Sequence, residues 1–271
     1  MNTNLDMDWI GNQGLNDSDL MNIASECGYD ITIGANNGEE IRRANQTKPW
    51  PNDQEINGID STSNNSDKHK YIDLGLPSGT LWATENIKDA NGNELYFAWG
   101  ETQGYTAEQV GTDKYFAYEG VNADYKYGTY DGSDKINCGM TKYNKTDGKT
   151  ELDAEDDAAT ANWGSDWKIP TKEQFDELAE NTTIAWTQVG GVDGMVFTST
   201  ANENTLFLPA AGFVMNGAVS DVGNYGDYWS ASVYGENVGD SMAFYTADTE
   251  CGTARSYRCF GCSVRPVRVS N

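Results

Sequence analysis

The chain has 271 residues, with 18 Lys and Arg against 42 Asp and Glu, for a formal net charge of −24. A charge this negative repels phosphate backbones and argues against nucleic-acid binding. No stretch approaches the roughly 18 apolar residues of a membrane span, so no membrane insertion is expected. Hydrophobic residues are 38% of the chain, yet it holds 8 Trp, 15 Tyr, 8 Phe and 29 Gly. Disordered chains are poor in aromatics, so this composition predicts a loop-rich fold around a compact aromatic core. The single histidine, His69, and five unevenly spaced cysteines, Cys27, Cys138, Cys251, Cys259 and Cys262, suit neither a disulfide framework nor a Cys/His zinc site.

Residues 1–36 read as a small docking unit. Its opening, MNTNLDMDWIGNQG, has neither a basic n-region nor an apolar h-region, so no secretory signal is expected. Asp17 or Ser18 caps a short helix over DLMNIASEC that stops at Gly28, and YDITIG follows as a brief strand. Residues 37–70 are polar, rich in Asn, Ser and Asp, and carry Pro49 and Pro51, which reads as a linker.

Apolar patterning resumes at Tyr71. YIDLG and TLWATENI predict strands around a Pro77-Ser78-Gly79 turn, LYFAWGE is a further apolar run, and 101–150 reads as a long excursion. Glu155, Asp156 and Asp157 suit the acidic first turn of a short helix. Thr171 and Gln174 form a capping box ahead of a helix that buries Phe175, Leu178 and Ala179. IAWTQV, MVFTST, TLFLPAAGFV, DYWSASV, SMAFYTAD, TARSYR and CSVRPVRV alternate enough to be strands. The expected class is α+β, strand-dominated.

Several ordered motifs carry a resemblance: YIDLGLPSGTLWAT, YFAWGET, MTKYN, DDAATANWGSDWKIPTKEQFDEL, LFLPAAGF, GDYWSAS and SVRPVR. Together they resemble the Fibrobacter major paralogous domain over most of 71–270, leaving 1–70 uncovered. The resemblance implies a C-type lectin-like fold in the branch shared with formylglycine-generating enzymes. It also implies kinship with target proteins of diversity-generating retroelements, which randomise template adenines. An AAC codon changed at its first two bases gives Asn, Asp, His, Tyr, Ser, Thr, Ala, Pro, Gly, Arg, Cys, Ile, Val, Leu or Phe, and never Trp, Met, Lys, Gln or Glu.

Within a variable region at 225–262, the residues that stand out all belong to the reachable set: Tyr234, Gly235, Val238, Gly239, Asp240, Tyr245, Asp248, Cys251, Gly252, Arg255, Ser256, Tyr257, Cys259 and Phe260. Met242, Ala243, Phe244 and Arg258 read as fixed, although Arg255 and Arg258 flanking Tyr257 also suit a binding hot spot. Three cysteines at 251–262 on an expected surface are unusual, because exposed thiols are normally avoided. Tyr, Ser, Gly and Asp are the residues of adaptable paratopes.

The expected function is therefore non-enzymatic recognition of a protein or surface glycan on another cell or virus, from a virion tail or cell-surface display. The alternative is an adhesin or carbohydrate-binding module of fixed specificity. Cys259-Phe260-Gly261-Cys262 is a C-x-x-C without a second pair, and the cysteine motif of the formylglycine-generating oxidases is missing. No cofactor is expected beyond calcium at Asp153, Asp156 and Asp157, where crowded oxygen ligands are compatible with that ion.

Overall fold

A computed structural model describes residues 29–36, 39–46, 69–117, 122–130, 136–234, 240–247 and 250–269. By internal contacts the chain divides into two units, Met1–Asn57 and Gly58–Asn271. In the first, β1 (Tyr29–Asn36) pairs antiparallel with β2 (Glu39–Gln46), from Tyr29 opposite Gln46 to Asn36 opposite Glu39. The YDITIG strand is present. The linker expectation is corrected at Glu39–Gln46, where eight residues use their backbone groups to complete a hairpin. The N-terminal helix expected before Gly28 lies outside the described residues.

The second unit begins its regular structure with β3 (Tyr71–Asp73) and β4 (Thr80–Ala83), joined through the expected turn, in which Gly79 N donates to Leu76 O at 2.9 Å. β5 (Gly128–Tyr130) and β6 (Ile136–Met140) form a short pair. A 3₁₀ turn at Ala154–Asp156 leads into α1 (Ala158–Trp163), and α2 spans Lys172–Glu180. The capping box is complete: Gln174 N donates to Thr171 Oγ1 and Thr171 N donates to Gln174 Oε1. Helix α2 buries Phe175 and Leu178, as the apolar spacing requires.

β7 (Thr182–Val189), β8 (Val192–Ser199) and β9 (Thr205–Pro209) form a meander. Its first turn is Gly190-Gly191, with φ of 59° and 82°, the left-handed pair that a two-residue hairpin favours. β10 (Phe213–Met215) and β11 (Ala218–Ser220) make a hairpin. β12 (Gly226–Val233), β13 (Asp240–Thr246) and β14 (Cys251–Tyr257) form a three-stranded sheet. Finally β15 (Val267–Val269) pairs with the far edge of β4.

Strands make up 40% of the structure and helix 10%, and the sheets are antiparallel. This overturns the α+β, C-type lectin-like expectation: the chain is mostly β. The two α-helices among the described residues are six and nine residues long, too short to form a layer of their own. No helix among the described residues is long and apolar enough to cross a membrane.

Tryptophans fill the centre of the second unit. Trp82, Trp99 and Trp229 are fully buried. Trp99 Nε1 donates to Ser230 O at 2.8 Å and Trp229 Nε1 donates to Phe97 O at 2.6 Å. Trp99 and Trp229 therefore each satisfy the indole donor across the core, on the strand or run that carries the other. Trp229 N also donates to Ser263 O, and Arg265 reaches Asn86 Oδ1 and Ala83 O at 2.8 and 3.0 Å. The C-terminal segment is thus bound into the core on both sides of β12.

Candidate ligand-binding surface

The sheet β12–β13–β14 carries Asp240, Tyr245, Cys251, Gly252, Arg255, Ser256 and Tyr257 among the residues expected to vary, and buried, hydrogen-bonded groups back it. Tyr228 is fully buried and donates to Pro209 O at 2.5 Å. Thr253 Oγ1 donates to Asp176 Oδ1 on α2 at 3.2 Å, fixing β14 to the helix. After β14 the chain dives inward. Arg258 is 1% exposed, donates to Tyr143 O at 2.9 Å and holds its guanidinium 4.6 Å from the Trp99 ring centre.

That burial decides between the two roles expected of Arg258: it is part of the frame and no surface hot spot. Cys259 is likewise corrected, being 2% exposed, and Cys262 is fully buried. Burial pushes the Cys259 thiol up to about 12, and burial with the nearby Asp227 charge raises Cys262 well above its ordinary value. Burial and the Glu250 charge raise Cys251 as well. Thiols held protonated are poor nucleophiles, so the C-x-x-C offers little to redox chemistry.

Several of the other expected positions reach the surface. Tyr234 is 43% and Tyr257 38% exposed, and Arg255 is exposed. Tyr245, Cys251, Gly252, Ser256 and Phe260 are half-buried. Asp240 opens β13 opposite Tyr257. Gly235, Val238, Gly239 and Asp248 lie outside the described residues.

Five half-open rings run together across this surface. Tyr245 stacks on Tyr225 with centroids 5.7 Å apart and planes 3° from parallel. Tyr225 meets Phe213 edge-on at 6.4 Å, Phe213 lies 6.4 Å from Phe260, and Phe260 meets Tyr257 at 5.3 Å. Phe213 and Tyr225 escaped the sequence reading because they precede or border the suspected segment. They are brought together at Gly212, whose N donates to Tyr225 O at 2.7 Å. Its φ is +70° and any Cβ would collide with the Ser220 carbonyl, so only glycine serves there.

Asp227 was also missed. It lies directly opposite Tyr245 in the β12–β13 register, so both side chains leave the same face. Tyr245 in turn lies opposite Gly252, and its ring passes 3.6–3.8 Å from where a Gly252 Cβ would stand. Half-buried among rings, the Asp227 carboxylate receives no hydrogen bond and no ion pair among the described residues. Burial pushes its pKa to about 7. Burial, the Asp227 charge and then Tyr245, Cys262 and Glu250 also raise the Tyr225 phenol. The signal available in the sequence was one acidic residue inside the otherwise uncharged GDYWSAS strand.

The calcium expectation meets a different arrangement. Carboxylates of Asp153, Glu155 and Asp156 do converge, but the Lys142 ammonium stands among them at 2.8, 2.8 and 2.6 Å. Lys126 and Tyr143 also reach Asp156, at 3.1 and 2.6 Å. Burial opposes the Lys142 charge, but hydrogen bonds to Asp153, Asp156 and Glu155 raise its pKa overall. Burial likewise opposes the Asp156 charge, yet Lys142, Tyr127, Tyr143 and Lys126 hold the carboxyl well below its usual range. Asp157 belongs to neither group: it caps α1 by accepting from Thr160 N and also accepts from Ile169 N, both at 2.9 Å.

Lysine thus supplies the cation that calcium would have supplied. Lys142→Met is expected to cost about 2–3 kcal/mol, below the full value for a buried pair because Lys142 keeps 22% of its side chain exposed. A depressed Asp156 stabilises the fold above its ordinary value of 3.8 and loses that contribution as pH falls through the lower folded value. Urea unfolding at pH 7 and below pH 4 checks both effects: the penalty should shrink in acid. Millimolar calcium should leave the wild-type midpoint unchanged.

Elsewhere, the clefts among the described residues include two. One of about 420 Å³ includes Asp157 and Gln174, both already engaged in helix caps. The other, about 530 Å³, includes Asp89 and His69. Asp89 closes a turn by accepting from Asn91 N and Asn93 N, and His69 stacks on Trp163 at 3.7 Å. These contacts read as structural. Comparison with protein-family models, with curated proteins and with solved structures found no match.

Proposed function

We propose that the chain is a non-enzymatic ligand- or receptor-binding protein, with a C-terminal surface at 234–260 varied by a diversity-generating retroelement. Its motif resemblance to target proteins of such elements supports the reading. The observation that carries it is the segregation of exposure along the C-terminal segment. Positions 251–257 are exposed or half-buried, whereas Arg258, Cys259 and 261–267 are buried, with Phe260 half-open between them. A surface whose residues are free to change needs a frame that does not depend on them. Here that frame is Trp229, Tyr228, Arg258 and Arg265, bonded to other parts of the core.

Binding rests on exposed aromatic rings and adaptable polar groups. Tyr257 and Tyr234 give large contact area for two side-chain torsions, and Arg255 adds an exposed charged group. The partner is a protein or a surface glycan on another cell or virus, met from a virion tail or a cell surface. The encoding locus tests this. It should carry a reverse transcriptase gene and a near-copy of the 3′ end with adenines at the codons for Tyr234, Tyr245, Cys251 and Tyr257. A locus without that copy, in siblings identical at these codons, favours a binding module of fixed specificity.

A further inference from the structure

The aromatic surface has one charged group at its base, and that group is on the strand rather than in the segment expected to vary. Asp227 is half-buried on β12, opposite Tyr245, with Tyr225 two residues before it stacked on the Tyr245 ring. Glu250, exposed and two residues before Gly252 on β14, pairs by backbone bonds at 2.9 and 3.4 Å with Ala247, two residues beyond Tyr245 on β13. Its charge adds to burial in raising both phenols. Within this group of side chains there are two carboxylates, two stacked phenol rings and no basic residue among the described residues. Arg255, three residues beyond Gly252 on β14, leaves the opposite face of that strand, and Arg258 turns towards Tyr143 and Trp99.

We propose that Asp227, with the faces of Tyr225 and Tyr245 and the Glu250 carboxylate, binds an organic cation, the guanidinium or ammonium group of an Arg or Lys side chain on a basic segment of a partner protein. The inference rests on the binding-surface reading given above. A half-buried carboxylate without a partner is costly to keep, and a planar cation repairs that cost through charge-assisted hydrogen bonds. The tyrosine faces add attraction for the same cation, because an aromatic quadrupole presents its negative side to a charge within about 6 Å. The net charge of −24 draws a basic partner in and repels an acidic one.

The arrangement divides labour between fixed and varied residues. Asp227 and Tyr225 sit in or beside the GDYWSAS motif and supply a constant charged floor. Tyr245 and Phe260 belong to the positions expected to change, and they set what fits above it. A charged floor of this kind selects one chemical class of side chain, while its neighbours select among partners that bear it.

Arginine amide, titrated into the full-length chain and followed by Tyr ring signals in NMR, tests the inference. Saturable shifts at Tyr225 and Tyr245 are expected, weakened at least tenfold by Asp227→Asn and left within twofold by Tyr234→Ala. Retained thermal unfolding of Asp227→Asn keeps loss of binding separate from loss of fold. Binding should also be weaker at pH 5.5 than at pH 8, because Asp227 takes up a proton across that range. The groups facing it are Tyr225 before β12, Tyr245 on β13, Cys262 on the C-terminal segment and Glu250 in the turn. The first three stay protonated well above pH 7.

No shift up to 20 mM arginine amide, shifts indifferent to Asp227→Asn, or equal shifts with a neutral methyl glycoside would each overturn the cation site. None of these results touches the variable-surface reading, which stands or falls with the encoding locus. Conversely, an Asp227-dependent arginine site in a locus without a template copy would keep the inference and remove that reading.

Discussion

Replacing Trp229 by alanine is expected to remove about 5 kcal/mol of folding stability, while Tyr234→Ala is expected to cost under about 1 kcal/mol. The first figure combines the cavity left by a fully buried indole with the loss of its hydrogen bond, after which Phe97 O keeps the Cys262 N–H as donor. Trp229 also sits where β12, the Phe97 run and the Ser263 segment meet, so relaxation around the cavity is restricted. Tyr234, 43% exposed at the end of β12, loses little in folding. Urea denaturation of both variants checks the contrast. Similar losses at the two positions would mean that frame and surface are not separable, and a surface that cannot change cheaply cannot be a varied one.

Asp227→Asn is expected to stabilise the protein at pH 8, by about 2–4 kcal/mol. The sign follows from linkage. Burial raises the carboxyl from an ordinary 3.8 to about 7 in the fold, so the folded chain holds a proton that the unfolded chain has released. Between those values the unfolded state binds fewer protons, and stability falls as pH rises, levelling off above about 7. A three-unit difference corresponds to roughly 4 kcal/mol at most, and the open edge of Asp227 lowers it. Asparagine carries no charge to desolvate and removes the slope. Asp157, raised by burial, contributes in the same direction, so the difference between wild type and Asp227→Asn is the quantity to follow. Asp156 acts in the opposite sense and in a separate window, below pH 4. Such a gain would accord with the cation-binding role proposed for Asp227, since sites can be kept at a cost in stability.

The parts of the fold legible in the sequence were those specified locally. The Thr171–Gln174 capping box, the Gly190-Gly191 hairpin and the Gly79 turn each depend on residues within one turn of the chain. A compact aromatic core, which Trp82, Trp99 and Trp229 fill, followed from a composition short of aliphatics. What failed depended on distant partners. Cys259 was expected at the surface because nothing local tells an exposed loop from one that turns inward. The calcium cluster at Asp153 and Asp156 could not be told from a lysine-neutralised one without the approach of Lys142. Glu39–Gln46 is polar on both faces of the pattern, so its pairing with Tyr29–Asn36 left no alternation to read. The α+β expectation gave too much weight to two short helices. Of the candidate surface, Tyr245, Tyr257 and Phe260 were found from residue type, whereas Phe213, Tyr225 and Asp227 were not. Their role comes from register and stacking across strands.

Sequencing sibling copies of the gene tests the central claim most directly. Substitutions should concentrate at Tyr234, Tyr245, Arg255, Tyr257 and Phe260, at codons carrying adenine in a template copy. Trp229, Arg258, Cys262 and Asp227 should remain unchanged. Copies that vary equally at buried and exposed positions, or that do not vary at all across 234–260, would contradict the account.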